Sequence, residues 1–154
     1  MVEDYRNGIT WLSDRSEVDS QRIGVWGTSY SGGLCLYVGT HDKRVKAVVA
    51  QVPSTLNPES RRRKDPEAWG RVKELLIEDR VRRCKTGSPN YMKVVAPEGE
   101  SCVFPYKDAY EWYMEFWEFA PNWQNEVTLE SLEKVREFDP VRLIHLMAPT
   151  ALLL

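Results

Sequence analysis

The chain has 154 residues, 42% hydrophobic and 29% charged, enough for one domain with its own core and unlike a disordered or fibrous polypeptide. Lys and Arg number 21 against 23 Asp and Glu, and a formal net charge of −2 gives no overall attraction to nucleic acid or a membrane surface. No stretch approaches the roughly 18 apolar residues of a membrane span.

In chain order, Val2, Tyr5, Ile9 and Leu12 share one face of a helix that runs to about Ser16, with Gly8 costing about 1 kcal/mol relative to Ala. A polar turn follows over 18–21. Arg22 to Trp26 reads as a short strand, apolar on both faces as in the middle of a parallel sheet. The tight turn Gly27-Thr28-Ser29-Tyr30-Ser31-Gly32-Gly33 leads into a helix that ends near His41. Val45 to Val52 is a second buried strand, stopped by Pro53. Strand, helix, strand in that order is a βαβ unit with a right-handed crossover.

From residue 55 the character changes. Residues 61–85 hold ten Lys/Arg against five Asp/Glu, and Asp65-Pro66 is a helix start with Trp69, Val72 and Leu76 on one face. Residues 86–106 are punctuated by Gly and Pro. A second amphipathic helix spans 107–119, and residues 107–139 carry nine acids against three bases. One basic and one acidic helix are expected to pair, each surface contact worth tenths of a kcal/mol. Thr128 caps a third helix with Leu129, Leu132 and Val135 inward, Asp139-Pro140 ends it, and Pro149 to Leu154 begins a strand. The expected division is an α/β core part over 1–54, an all-helical insertion over 55–127, and a return helix and strand over 128–154.

Chemistry concentrates at residues 27–33. A strand that breaks at once into a helix forces the residue at the break into a strained conformation with its side chain raised above the sheet, the layout of a nucleophile elbow. Ser29 stands at that break and is the candidate nucleophile. Gly27 and Ser31 are small where strand and helix must nearly touch, with Gly32 and Gly33 behind them. The Tyr30 backbone N–H then lies at a helix N-terminus, aimed at a developing oxyanion.

Asp4-Tyr5-Arg6-Asn7, the string Arg22 to Gly33, and Val45 to Pro53 together resemble dienelactone-hydrolase-like and X-Pro-dipeptidyl-peptidase-like α/β-hydrolases, most of all an esterase and thiohydrolase group that includes fungal polyketide transferases. The resemblance implies a partial α/β-hydrolase fold with a helical cap, and a serine hydrolase acting on ester, thioester or related acyl bonds through an acyl-serine. It also implies a triad order Ser, Asp, His in which the acid follows the strand that Ala151 begins and the base comes later still, with a second oxyanion donor before residue 1. On that reading the chain is part of a longer hydrolase and is itself inactive. The other reading is a non-catalytic remnant that acts as an interaction module.

His41 lies several helical turns from Ser29, roughly 15 Å away at ~1.5 Å per residue, and reads as a helix C-terminal residue. His145, in a Leu-rich stretch, has no evident carboxylate partner, and Asp42 and Asp139 read as turn or cap residues. The Arg61-Arg62-Arg63-Lys64 run reads as the solvated start of a cap helix. Among the aromatics at 112–123, Trp112, Phe116 and Trp117 are candidates to line an acyl pocket.

Cys35, Cys84 and Cys102 are odd in number and widely spaced, so free buried thiols are expected and no metal site. No cofactor is expected. The expected partner is a small acyl substrate, without nucleic acid or membrane, together with a second copy or another strand at the sheet edge. The acidic start, Glu3 and Asp4, is not a secretory signal, and a cytoplasmic location is expected.

Overall fold

The computed structural model describes all 154 residues. In chain order its elements are α1 (Val2–Ser13), β1 (Gly24–Thr28), α2 (Ser29–His41), β2 (Ala47–Gln51), α3 (Pro58–Lys64), α4 (Pro66–Thr86), β3 (Tyr91–Met92), α5 (Lys107–Phe116), β4 (Val127–Thr128), α6 (Leu129–Glu137) and β5 (Ala151–Leu153). Short 3-10 turns cover Trp117–Phe119 and Ile144–Leu146. The chain forms two compact units, one of residues 1–60 with 138–154 and one of residues 61–137.

The first unit is α/β. β1, β2 and β5 form a parallel sheet in that order, with Thr28 opposite Gln51 and Val49 opposite Leu153. Parallel neighbours need a crossover, and α2 supplies it between β1 and β2. α2 has no polar stripe. Gly32 to Leu36 and Val38 to Thr40 are all buried, as in a helix enclosed by a core. α2 also lies close on β2 at Gly39, where a Cβ would stand 2.4 Å from Val48 Cγ2. Ile9 of α1, Leu36 and Val38 of α2, Val45, Val48 and Met147 form one buried cluster around this contact.

The strands differ from the sequence expectation of burial on both faces. Gly27, Val48 and Ala50 are buried, but their neighbours along the strands are half-buried or exposed, and Trp26 keeps 62% of its surface. Side chains on a strand point to opposite faces in turn, and in this unit the core cluster lies on one face only. β1 also begins two residues later than the apolar pattern suggests, at Gly24, although the buried Ile23 before it still accepts from the Lys46 amide at 2.8 Å. α1 stops at Ser13, where the Asp14 and Arg15 amides bond back to the carbonyls of Trp11 and Leu12 and tighten the last turn.

The second unit is helical except for one antiparallel ladder, Tyr91 opposite Thr128 and Met92 opposite Val127. That ladder departs from the all-helical expectation, and Asn125 extends it: its Oδ1 accepts from the Val94 and Val95 amides and its Nδ2 donates to the Val95 carbonyl. α4 begins as expected, with Asp65 accepting from the Ala68 amide and Pro66 at the first position. It ends at Gly87 in the left-handed region, φ 72. α6 starts at a Thr128 cap on the Ser131 amide and packs with α4, so it belongs to this unit, whose limits are 61 and 137 and not 55 and 127.

The acidic partner of α4 is therefore α6 and not α5. Arg80 reaches Glu133 at 2.5 Å, and Arg83 reaches Glu133 at 3.3 Å and Glu130 at 3.5 Å. Beneath them Asp79 has no exposed surface; its two oxygens accept from Arg83 Nε at 2.8 Å and the Asn90 amide at 2.6 Å. Burial alone would push the Asp79 carboxyl up, but the Asn90 amide and Arg83 outweigh it and hold the group below the ordinary carboxylate range.

Two outcomes follow from this packing. Gly39→Ala is expected to destabilise the chain by about 1–3 kcal/mol, since Val48 has no slack to absorb a methyl, read as a lower urea midpoint. An unchanged midpoint would show that the helix is not pressed on the sheet there. A carboxyl with a depressed folded pKa contributes stability above its unfolded pKa and loses it as pH falls through the folded value. Thermal stability is therefore expected to fall below about pH 4, and Asp79→Asn should flatten that dependence. Equal pH slopes for the two proteins would remove Asp79 from the account.

Candidate active site

The site is built at the C-terminal ends of β1 and β2. Thr28, the last residue of β1, is extended at φ −118, ψ 152, and the next residue, Ser29, is the first of α2 with φ 54. A single bond thus separates strand from helix, and Ser29 carries the left-handed conformation that the reversal needs. Its side chain is exposed, and its carbonyl accepts from the Ser54 amide at 2.8 Å. Thr28 makes no side-chain bond to the first turn of α2, so the helix opens without a side-chain cap. Tyr30, whose amide is next after Ser29, sets its ring 5.5 Å from that of Phe138.

Each small residue of the motif answers a different neighbour. At Gly27 a Cβ would meet the Ser31 carbonyl carbon and oxygen at 2.6 Å and Cys35 Sγ at 2.9 Å, so β1 and α2 touch through backbone. At Gly32 it would stand 3.1 Å from Pro53, and at Gly33 2.7 Å from the Ser54 carbonyl oxygen. The segment after β2 therefore lies across the start of α2, a role for Pro53 and Ser54 that the sequence pattern does not disclose.

Ser31 occupies the second small position and turns its hydroxyl away from the turn. Its Oγ is 2.6 Å from the Tyr5 hydroxyl, and the Cys35 thiol donates to that same phenol oxygen at 3.7 Å. The bond ties α1 to the first turn of α2. Burial pushes both the Tyr5 phenol and the Cys35 thiol above their ordinary values. Cys35 is thus a protonated thiol in the core and no rival to Ser29 as a nucleophile. Cys84 is exposed and Cys102 half-buried, which corrects the expectation that all three thiols are buried.

Neither histidine is bonded to Ser29. His41 sits at the far end of α2, where its Nδ1 lies 2.8 Å from the Tyr37 carbonyl oxygen and its ring stacks on Tyr37 at 4.2 Å. His145 is exposed in the turn Ile144–Leu146. Asp42 is engaged by Arg44, whose Nε and Nη2 reach its oxygens at 2.9 and 2.6 Å and hold its carboxyl below the ordinary range. Asp139 has one carboxylate oxygen buried without a hydrogen-bond partner. No three His, Cys, Asp or Glu side chains gather as a metal site would require.

In the second unit, α5 and the turn after it form an aromatic cup of about 200 Å³, lined by Trp112, Tyr113, Phe116, Trp117, Ala120 and Trp123. Trp112, Phe116 and Trp117 are the residues expected from sequence; Tyr113, Ala120 and Trp123 complete it. Tyr113 stacks against Trp123 at 5.3 Å, and Trp117 meets Trp123 edge-on at 5.4 Å. No charged side chain enters the lining.

Residues 1–102, which hold the whole turn and both strand ends, match the family described as BAAT / acyl-CoA thioester hydrolase C terminal. The chain belongs to that family. Among its relatives, thiohydrolase apmlB of Arthrinium phaeospermum is 29% identical over 163 residues, covering 98% of this chain and 51% of the relative. Quorum-quenching protein AidA of Acinetobacter baumannii (strain MDR-ZJ06) is 26% identical over 141 residues, covering 92% and 46%. The crystal structure of the α/β hydrolase GrgF from Penicillium sp. sh18 superposes with a TM-score of 0.77 at 22% identity, over 98% of this chain and 50% of that one, so the fold is that of an α/β hydrolase. The chain spans about half the length of the curated relatives it matches.

Tyr5→Phe removes the only hydroxyl bonded to Ser31 Oγ and should cost about 1 kcal/mol. Hydrogen exchange should then quicken at the first turn of α2 before it does at β2; uniform protection across both would show that α1 does not hold the turn.

Proposed function

We propose that the chain carries the nucleophile of a serine hydrolase that cleaves ester or thioester bonds, with Ser29 attacking the acyl carbonyl. The observation that carries this reading is Ser29 itself: exposed, at φ 54, alone between the end of a parallel strand and a helix N-terminus. Attack forms the Ser29 Oγ–carbon bond and places negative charge on the former carbonyl oxygen. The Tyr30 amide, at the positive end of the α2 dipole, is the donor this chain offers to that oxyanion. Collapse breaks the carbon–sulfur or carbon–oxygen bond, and the leaving group takes the proton that the base removed from Ser29. Water then releases the acid from the acyl-serine.

The cycle needs a base, an acid to orient it, and a second oxyanion donor. Neither histidine is bonded to Ser29, and His41 and Asp42 are engaged by Tyr37 and Arg44, so in this reading those groups come from outside residues 1–154, in the same polypeptide or another, and the chain alone turns over little.

A fluorophosphonate probe tests the assignment in the protein as its cells make it. After trypsin, the adduct is expected on the peptide Ile23–Lys43, and Ser29→Ala should abolish it. Adduct on another serine would take the nucleophile away from Ser29, and no adduct at all would overturn the assignment in favour of a non-catalytic interaction module.

A further inference from the structure

Two residues other than glycine have positive φ in this chain, Ser29 at 54 and Val52 at 44. They are neighbours in space by register. Thr28 pairs with Gln51, and Ser29 and Val52 are the next residues on the two parallel strands, which run about 4.8 Å apart. The conformation of Ser29 follows from the strand-to-helix break. That of Val52 has only half an explanation. By leaving the strand there, the chain can lay Pro53 on Gly32 and bring the Ser54 amide to the Ser29 carbonyl. The backbone path needs a left-handed residue, which Gly or Asn would provide with little strain.

Valine is a poor choice for that path on two counts. Its branched Cβ crowds a left-handed backbone, and a residue before proline is biased toward extended structure. The isopropyl group gains nothing inside the chain in return, since Val52 keeps 80% of its surface exposed. Strain held at an exposed side chain beside a candidate nucleophile points to a contact made with what arrives there. The side chain has no polar atom, so the arriving group is apolar.

We propose that Val52 forms one wall of the acyl site and touches the aliphatic carbons of the acyl group carried on Ser29. The assignment rests on the acyl-serine reading above and adds a residue that sets the preferred acyl chain. It separates two jobs at one position: the backbone of Val52 shapes the turn, and the side chain meets the ligand.

Val52→Gly and Val52→Asn fit the left-handed backbone, so both should unfold at a urea midpoint equal to or above that of the unaltered chain. The protein as its cells make it is then acylated with p-nitrophenyl octanoate and p-nitrophenyl acetate, reading p-nitrophenolate release and adduct mass on the peptide Ile23–Lys43. The octanoate-to-acetate rate ratio is expected to fall about tenfold in both variants, the factor implied by losing burial of one valine side chain. In parallel, Ser29→Ala protein with ¹³C-labelled valine methyls is titrated with octanoate, and the Val52 resonances should shift and saturate. Acylation of Ser29 with an unchanged ratio in both variants and unmoved Val52 methyls overturns the wall while leaving the acyl-serine reading intact. Saturable shifts at Val52 without any acylation of Ser29 support the wall and remove the acyl-serine step.

Discussion

The contact that the first unit depends on is the one between Gly27 and the backbone of Ser31. With no room for a single Cβ, β1 and α2 approach until their main chains touch, and everything at the break follows from that distance. The strand must end at Thr28, the helix must begin one residue later, and Ser29 alone absorbs the change of direction. The same closeness decides what Ser31 can be. Its hydroxyl bonds Tyr5, and the helix that precedes the sheet becomes part of the support under the break. Pro53 and Ser54 close the other side across Gly32 and Gly33. Ser29 is thus held from three directions by groups that are not themselves reactive.

Much of this was legible in the sequence because the signals are local. An apolar run meeting Gly27, a serine two residues on, and small residues at 31–33 state a strand, a break and a helix within a dozen positions. The caps at Asp65 and Thr128 are likewise written within four residues each, and both form. What could not be read depends on distant partners. A run such as Val48-Val49-Ala50 looks the same whether one face of the sheet is covered or two, and only the placement of the core cluster decides it. Negative charge lies on both α5 and α6, so composition could not say which would meet Arg80 and Arg83. At Val52 the local signal points the wrong way, since a valine before proline reads as continuing strand.

The second unit uses charge and aromatic surface in different places. Its buried ionic cluster joins α4 to α6 around Asp79, where every oxygen has a donor and the cost of removing charge from water is offset by direct bonds. Its aromatic cup is formed by α5 and the residues after it, away from any ion pair with Arg80 or Arg83. One part of the unit therefore fixes helices and the other presents rings. Arg61 belongs to the first kind of work, since it donates to the Val135 carbonyl, and Arg136 stacks 3.6 Å over Trp69.

The parallel sheet is discontinuous along the chain. β1 and β2 are joined through α2 alone, but β5 reaches its place beside β2 only after the whole of residues 61–137 has intervened. Closing a loop of that length carries an entropic cost that rises only with the logarithm of its size, so the arrangement is affordable at equilibrium but unfavourable to speed. During synthesis the first two strands and their helix emerge early and wait with an open ladder on Val48 and Val49 until Leu152 and Leu153 leave the ribosome. Pairing of β5 with β2 therefore waits on synthesis of the whole second unit, and a nascent chain stalled within that unit would present the open edge of β2 to chaperones.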